Sequence, residues 1–232
     1  LQYVDDLQVS GEPAEVDAFV KDLTAKYEIR DYGEPQSFIG MELTRKGNTM
    51  TLTQTKYIEQ MTARFGLLDA HYVNTPMDPN SHLTSTDQSD TRPDPTLYRA
   101  MVGSLMYAQV LTQPGLSFAV MQLSRHLARP THAHVNAAKR AIVWAYHHRH
   151  LGLTFDGDRP PDLHGYSDAD YAGCPDTRRS TSGMVFCLGG TAVSWCSKLQ
   201  RTVATASAES EYVSVSQAGH ECLWLRRLVS EL

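Results

Sequence analysis

Apolar and polar positions near the start of the chain recur with spacings that predict a short hairpin and then a helix. Two apolar runs within residues 1–9 flank Asp5 and Asp6, which is the pattern of a hairpin with both acids at its tip. Residues 13–27 carry apolar side chains at helical spacing and acids elsewhere, so they predict an amphipathic helix that faces a core.

The remaining pattern predicts a mixture of helices and strands, an α+β fold. Strands are expected over 38–43, 49–54, 163–168, 183–188 and 191–197, with a tight hairpin at Gly189 and Gly190. Helices are expected over 57–65, 97–111, 116–128, 131–149 and 207–228. The last three strands predict an antiparallel meander, with the closing helix packed across it through Val215, Ala218 and Cys222.

Composition divides the chain into regions. Residues 74–96 are rich in Pro, Ser, Thr and Asp and have no helical or strand period, so they predict a linker. The predicted regions are 1–73, the linker 74–96, 97–157 and 158–232. The chain opens on Leu1 in a strand-like run, which indicates a piece of a longer protein.

Overall composition and charge exclude some classes of function. Of the 232 residues 41% are hydrophobic and 20% charged, which is typical of a globular protein. A net charge of -5 lacks the basic excess of a free-standing nucleic-acid binder, so any such binding must be local. Four scattered cysteines favour reduced thiols in an intracellular protein. No apolar run reaches the roughly 18 residues that cross a bilayer, so no membrane partner is expected.

One segment of the chain is basic enough to be a local nucleic-acid-binding site. Residues 177–208 contain Arg178, Arg179, Lys198 and Arg201 and no acid. Contacts from such residues to phosphates give sequence-independent, salt-sensitive binding, and a hybrid duplex is recognised mainly through its backbone and shape. A solvated sheet face is the alternative interpretation of the same four residues.

Asp5 and Asp6 are candidates for metal chemistry. A hairpin tip projects both carboxylates beyond the sheet edge, where hard divalent cations take oxygen ligands. The alternative is a solvated acidic turn, because turns favour Asp for local hydrogen bonds.

The sequence around these acids resembles a known family. LQYVDDLQVSG at 1–11 resembles the Tyr-x-Asp-Asp hairpin of reverse transcriptases, and FIGMEL at 38–43 is similar to the primer-gripping segment of copia-type retrotransposon enzymes. YRAMVGSLMY at 98–107 and LSRH at 123–126 resemble the helices that connect polymerase to ribonuclease H in that family. Gly115 is a departure, because the family usually carries an acid there.

The last third resembles the ribonuclease H portion of the same elements. The matching motifs, in order, are YSDADYAG at 166–173, RRSTSG at 178–183, SW at 194–195 and AESEY at 208–212. Hydrolysis of a phosphodiester by two metal ions needs acidic ligands from separate elements. The resemblance implies that Asp168 on the first strand and one Glu on the helix are such ligands.

Helical spacing indicates which Glu faces the sheet. Steps forward from Glu211 reach an apolar stripe: Val215, Ala218, Cys222, Leu225 and Val229. The same steps from Glu209 reach Ser216, His220 and Arg227. Glu211 is therefore expected to face Asp168, with the two carboxylates about 4 to 8 Å apart. Asp170 is interpreted as a turn residue at the end of its strand.

The histidines and tryptophans are interpreted as structural residues and not as ligands. The histidines His132, His134, His147, His148 and His150 have no acid or Cys at ligand spacing and predict no metal site. The tryptophans Trp144, Trp195 and Trp224 fall on apolar stripes and are expected in the core.

The resemblance implies an architecture and an activity. It makes 1–73 the end of a reverse-transcriptase palm and the start of its thumb, 97–157 a helical connection, and 158–232 the first part of a ribonuclease H-like mixed sheet with a helix. The intact enzyme would copy RNA into DNA and degrade the RNA of the hybrid, with Mg²⁺ or Mn²⁺ held at Asp5, Asp6, Asp168 and Glu211. Its expected partners are primer-template, the RNA/DNA hybrid and the rest of a Pol polyprotein, in a cytoplasmic particle with a nuclear stage.

Two alternatives stay open. One is a non-catalytic nucleic-acid-binding remnant of such an element, and the other is a generic metal-dependent nuclease with an unrelated hairpin. The chain alone is expected to catalyse neither reaction, because the family's sites use further carboxylates from strands outside 1–232.

Overall fold

The computed structural model describes residues 2–3, 6–81, 83–85 and 92–231, without the side chains of residues 2, 3 and 6. The strands are β1 Gln2–Tyr3, β2 Asp6–Leu7, β3 Ser37–Phe38, β4 Met41–Lys46, β5 Thr49–Thr53, β6 Leu153–Asp156, β7 Leu163–Asp170, β8 Thr181–Leu188 and β9 Thr191–Leu199. The α-helices are α1 Pro13–Lys26, α2 Thr55–Arg64, α3 Pro95–Leu111, α4 Ser117–Ser124, α5 His132–His147 and α6 Ser207–Glu231. This mixture confirms the predicted α+β class.

The predicted N-terminal hairpin is present, and the helix after it is exposed. β1 pairs with β2 in antiparallel register, with Tyr3 opposite Asp6. The helix α1 forms where the pattern predicts it, but none of its residues is buried, and Phe19 is 45% exposed. The prediction that α1 faces a core is therefore wrong, because amphipathic spacing specifies a helix without specifying a partner for its apolar stripe.

A four-stranded antiparallel sheet joins distant parts of the chain. The second predicted hairpin is present as β4 and β5, with Leu43 opposite Leu52 and Gly47 in a left-handed conformation at the turn. β6 then pairs with β5 from a point about 100 residues later, with Thr154 opposite Thr51. Because of this pairing, the hairpin and the segment after α5 belong to one sheet.

The largest hydrophobic core lies among the helices α2, α3, α4 and α5. Tyr98 is fully buried there and its hydroxyl donates to the carbonyl of Leu123 at 2.8 Å. The described residues of the predicted linker 74–96 form no helix or strand before Pro95, but Met77 and Leu83 are buried in the same core. The segment is thus irregular in backbone and packed against the helices.

The last third contains the predicted meander. β7, β8 and β9 pair consecutively and antiparallel, with Asp168 opposite Gly183 and Gly183 opposite Ser197. The helix α6 crosses one face, where Ala218, Leu225 and the partly buried Cys222 pack against Phe186.

One contact predicted for α6 is wrong. Val215 is 58% exposed, whereas Ser210, Ser214, Ala218 and Leu225 are buried. The first half of α6 turns serines toward the sheet because small side chains fit close to the strands. The Ser214 hydroxyl donates to a strand carbonyl, that of Asp168, and the Ser210 hydroxyl donates to the Ser207 carbonyl in the same helix. The predicted apolar stripe is therefore offset from the buried face by about one residue at that end.

The tryptophans differ in their surroundings. Trp195 is partly buried and donates from Nε1 to the carbonyl of Gln109 in α3 at 2.9 Å, which attaches the meander to the helices. Trp144 is partly buried and lies over Gly115, where an added Cβ would stand 2.8 Å from its Cη2. The space left by Gly115 therefore accommodates this ring. Trp224 is 56% exposed, so its prediction as a core residue is wrong.

Candidate nuclease site and nucleic-acid interface

Asp168 lies where α6 meets the meander. The hydroxyl of Ser214, a residue that is 1% exposed, donates to the main-chain carbonyl of Asp168 at 2.7 Å. The Asp168 side chain is exposed and lies opposite Gly183, which has no side chain to crowd it. The local backbone is thus fixed by α6 while the carboxylate stays open to a ligand.

Two glutamates at the start of α6 have different surroundings. The Glu209 carboxylate accepts hydrogen bonds from the Thr205 N–H at 2.6 Å and its hydroxyl at 2.9 Å, and these bonds lower the pKa of Glu209. Glu211 is half-buried and lies one helical turn before Ser214, the residue bonded to Asp168. Glu209 therefore binds Thr205 in the loop before α6, and Glu211 is the glutamate that remains a candidate ligand. The distance between the Asp168 and Glu211 carboxylates stays a prediction.

Asp170 belongs to the turn that follows β7. Its carboxylate lies against the backbone of Gly173, where any Cβ would overlap it. Ala172, between these residues, has a left-handed backbone with φ of 52°. These features are consistent with a structural role for Asp170 in the turn.

The basic candidates gather at one end of the meander. The last β8–β9 pair is Thr181 with Leu199, and the Gln200 N–H extends the pairing by donating to the Ser180 carbonyl at 2.8 Å. Arg179 directly precedes Ser180 in the chain, and Arg201 directly follows Gln200. Lys198 is opposite Ser182, and Arg178 precedes Arg179 in the loop. We call Arg178, Arg179, Lys198 and Arg201 the basic end.

The basic end is available for an anionic ligand. Arg178, Lys198 and Arg201 are exposed and Arg179 is half-buried. None of the four forms an ion pair with any described residue. Asp170 pairs with Thr181 at the last position of β7 and β8, and Asp168 pairs with Gly183 two residues further along the strands. The exposed Asp168 is therefore two residue pairs away from the end of the sheet that carries the basic end.

The polymerase candidates lie mostly outside the described residues. Asp5 is one of the residues outside the described ranges, and Asp6 is described only as backbone in β2. Within those ranges no three His, Cys, Asp or Glu residues are grouped for a metal ion, so Asp168 and Glu211 are at most a pair of ligands.

Ser214 and Gln200 are positioning residues that the sequence patterns missed. Gln200 is 1% exposed and donates from Nε2 to the Ser182 hydroxyl at 3.0 Å and the Ser210 carbonyl at 2.9 Å. Together they fix the first turns of α6 on the strands. Gln200 lies just after β9, and Ser214 lies on a face of α6 that begins with serines, so neither belongs to an apolar pattern that would single it out.

Comparison with known proteins settles the family. Residues 1–79 match the family model described as reverse transcriptase (RNA-dependent DNA polymerase). Over its full length the chain is 37% identical to a Pol polyprotein from transposon TNT 1-94 of Nicotiana tabacum and 36% identical to one from transposon RE1 of Arabidopsis thaliana. The chain belongs to the copia-type retrotransposon Pol polyproteins, with the reverse transcriptase match at residues 1–79. This confirms the family resemblance of the sequence motifs.

The relatives differ greatly in length. This reverse transcriptase-related chain spans 18% of the tobacco polyprotein and 16% of the Arabidopsis one. It is also 32% identical to an uncharacterized mitochondrial protein of Arabidopsis thaliana, with 97% of the chain and 92% of that protein covered. No solved structure matches significantly. None of the helices in the described ranges has the length and apolarity needed to cross a membrane.

Proposed function

We propose that this chain contributes to RNA-directed DNA synthesis and to ribonuclease H cleavage of RNA/DNA hybrids as part of a retrotransposon Pol polyprotein. The observation that carries the proposal is the arrangement at one end of the meander. The exposed Asp168 carboxylate stands two rows from an unpaired basic end, on a strand that α6 fixes through Ser214. Asp5 and Asp6 would serve the polymerase reaction, as the resemblance implies.

The donor chemistry at the meander suits a hard divalent cation. Asp168 and Glu211 offer carboxylate oxygens, and Mg²⁺ is commonly bound by one or two carboxylates together with substrate phosphates and waters. Mg²⁺ or Mn²⁺ bound there would activate water and stabilise the leaving oxygen. The role of this chain's own residues is to hold those carboxylates on the strand and helix that Ser214 joins.

The basic end would hold the sugar-phosphate backbone of the hybrid. Its cations have no acidic partner among the described residues, so binding phosphates breaks no ion pair. Primer-template and the rest of the polyprotein are the other proposed partners, in a cytoplasmic particle with a nuclear stage. The remaining carboxylates would come from the rest of the polyprotein.

A non-catalytic nucleic-acid-binding remnant is the second candidate function. It is favoured by the small number of candidate ligands at the meander, because no three His, Cys, Asp or Glu residues are grouped for a metal ion in the described ranges. Both candidates require the basic end to bind nucleic acid. They differ in whether the longer polyprotein cleaves the hybrid.

The two candidates separate in one experiment. A labelled RNA/DNA hybrid is incubated with Mg²⁺ or Mn²⁺ and either the chain or the longer polyprotein. We expect the chain to bind without cleaving, and the polyprotein to cleave. Asp168→Asn and Glu211→Gln should abolish cleavage, whereas Glu209→Gln is the matched control that retains it. Hybrid binding without cleavage by the polyprotein would establish the remnant, and cleavage by the chain alone would show that two carboxylates suffice.

A further inference from the structure

Three distant segments meet at a polar cluster beside the basic end. Arg125, at the end of α4, donates from Nη2 to the Sγ of Cys174 at 2.7 Å and from Nη1 to Gln122 Oε1 at 2.8 Å. Cys174 is 1% exposed and lies in the loop 171–180 between β7 and β8. The contact spans 49 positions of the sequence and joins the helical core to the meander.

The surroundings of Cys174 lower the pKa of its thiol. Burial alone raises the pKa of this thiol, but hydrogen bonds from Thr177 and the backbone N–H of Asp176, with the positive charge of Arg125, bring the pKa below its ordinary value. The Thr177 hydroxyl donates to Sγ at 3.0 Å. The Arg125 guanidinium bonds to this sulfur at a site of low exposure, where solvent screens the interaction weakly.

Asp176 ties the third segment to this cluster. Its carboxylate accepts from the Ser85 hydroxyl at 2.8 Å and the Ser85 N–H at 3.1 Å. Burial raises the pKa of Asp176, but those bonds and the charges of His126 and Arg125 lower it overall. Burial and the charge of Arg125 lower the pKa of His126, against the opposite effect of Asp176. The charged and titratable groups around the sulfur are therefore Arg125, His126 and Asp176.

The loop that Cys174 anchors also carries two of the four residues of the basic end. The Arg178 N–H donates to the Cys174 carbonyl at 2.8 Å, and the Cys174 N–H donates to the Arg179 carbonyl at 3.1 Å. Arg178 has a left-handed backbone with φ of 56°, a conformation that a non-glycine residue keeps only when its surroundings hold it. The position of both arginines thus depends on the position of Cys174.

We propose that Cys174 and Arg125 form a sulfur–guanidinium clamp that holds the loop 171–180 and thereby positions Arg178 and Arg179 for phosphate contact. Cys174 is a positioning residue in this arrangement and does not touch the nucleic acid. The consequence for nucleic-acid binding rests on the proposed function, but the clamp itself does not.

Titration of the cysteines in the native chain tests the clamp directly. The ¹³Cβ chemical shift of each cysteine is followed by NMR as a function of pH, which requires no reagent to reach the buried sulfur. Cys196 is the internal reference, because burial and the charge of Glu221 raise the pKa of its thiol against the effect of Lys198. We expect the Cys174 midpoint at lower pH than that of Cys196. Arg125→Gln should move the Cys174 midpoint upward, whereas Arg125→Lys and the exposed control Arg129→Gln should leave it near the wild-type value.

Hydrogen exchange and binding then test the positioning role. Arg125→Gln should speed amide exchange in 171–180, and Cys174→Ser should weaken hybrid binding and lower its log–log salt slope by about 2, one for each displaced phosphate contact. Cys187→Ser is the matched control. A Cys174 midpoint at or above that of Cys196, or unchanged exchange in Arg125→Gln, overturns the clamp. If the wild type binds no hybrid, the proposed function fails, while the cysteine titration and hydrogen exchange still decide the clamp.

Discussion

The Ser214 hydroxyl donates to the main-chain carbonyl of Asp168 at 2.7 Å, and a second carbonyl, that of Gly183, lies 3.5 Å away. One side chain of α6 thus reaches two neighbouring strands in the row that contains the candidate catalytic acid. Ser214 and Asp168 are in contact although they lie 46 positions apart in the sequence. The effects of this bond on stability and on the position of Asp168 are measurable separately from catalysis.

Removing this hydroxyl should destabilise the chain. Ser214→Ala leaves the strand carbonyls with one donor fewer in a buried position, which costs about 1 to 3 kcal/mol in the free energy of unfolding. Urea unfolding followed by circular dichroism measures the change. Ser216→Ala, at an exposed position of the same helix, is the control and should stay within about 0.5 kcal/mol of the wild type. Equal stability of the two variants would contradict a role for the bond.

Neutralising the basic end should weaken hybrid binding in a salt-dependent way. Arg179→Gln and Arg201→Gln should each lower the log–log salt slope by about 1, because each removes one phosphate contact. Fluorescence anisotropy with a labelled hybrid across a salt series gives the slope. The exposed Lys21→Gln in α1 is the control with the same charge change. A fall in slope for the control equal to that of the other two would indicate a general charge effect.

Adding a methyl group at Gly115 should disturb the packing of Trp144. An added Cβ would stand 2.8 Å from the ring, so Gly115→Ala is expected to lower the free energy of unfolding by about 1 to 3 kcal/mol. Gly103→Ala is the matched control, since no atom lies within 4 Å of its added Cβ. That control should stabilise α3 by about 0.5 to 1 kcal/mol. Thermal unfolding of both variants provides the comparison, and equal shifts would exclude crowding by the ring.

The bonds between Thr205 and Glu209 should make part of the stability depend on pH. Hydrogen bonds from Thr205 lower the pKa of Glu209 in the folded chain, so its stabilisation is fully present above the ordinary pKa of about 4.3. That contribution is lost as the pH falls through the lower folded-state value. Unfolding of Glu209→Gln between neutral and acid pH should show a weaker acid dependence than the wild type. Glu231→Gln, at the exposed end of α6, should retain the wild-type dependence.

Local patterns predicted the elements well and their partners less well. The meander of β7, β8 and β9 follows from alternating apolar positions and the Gly189–Gly190 turn, both of which are properties of neighbouring residues. The burial of Val215 was predicted from the same kind of spacing and was wrong, because the close approach of α6 favours serine at Ser210 and Ser214. Hydrophobic spacing cannot show which face a polar but buried side chain occupies.

The candidate site also contains some features that the sequence predicted and others that it did not. Motif resemblance selected Asp168 and Glu211, and helical steps separated Glu211 from Glu209. No pattern linked Arg125 with Cys174, because residues 49 positions apart meet only through the packing of helices and strands. Pairing between β5 and β6, which joins the hairpin to the end of the helical region, is equally invisible in local spacing.

The sequence by itself determined the family, the α+β class, the hairpins, most helices and the residues that carry charge. These features depend on residue type and on spacings of a few positions. Both are properties of each segment and do not depend on the segments that pack against it. The tertiary structure decided that α1 stays exposed, that the irregular segment around Met77 packs into the helical core, and that Gln200 bonds to Ser180 at the basic end. Those outcomes depend on contacts between segments far apart in the chain. Such contacts contribute to stability only when the chain has folded, so local residue patterns do not reveal them.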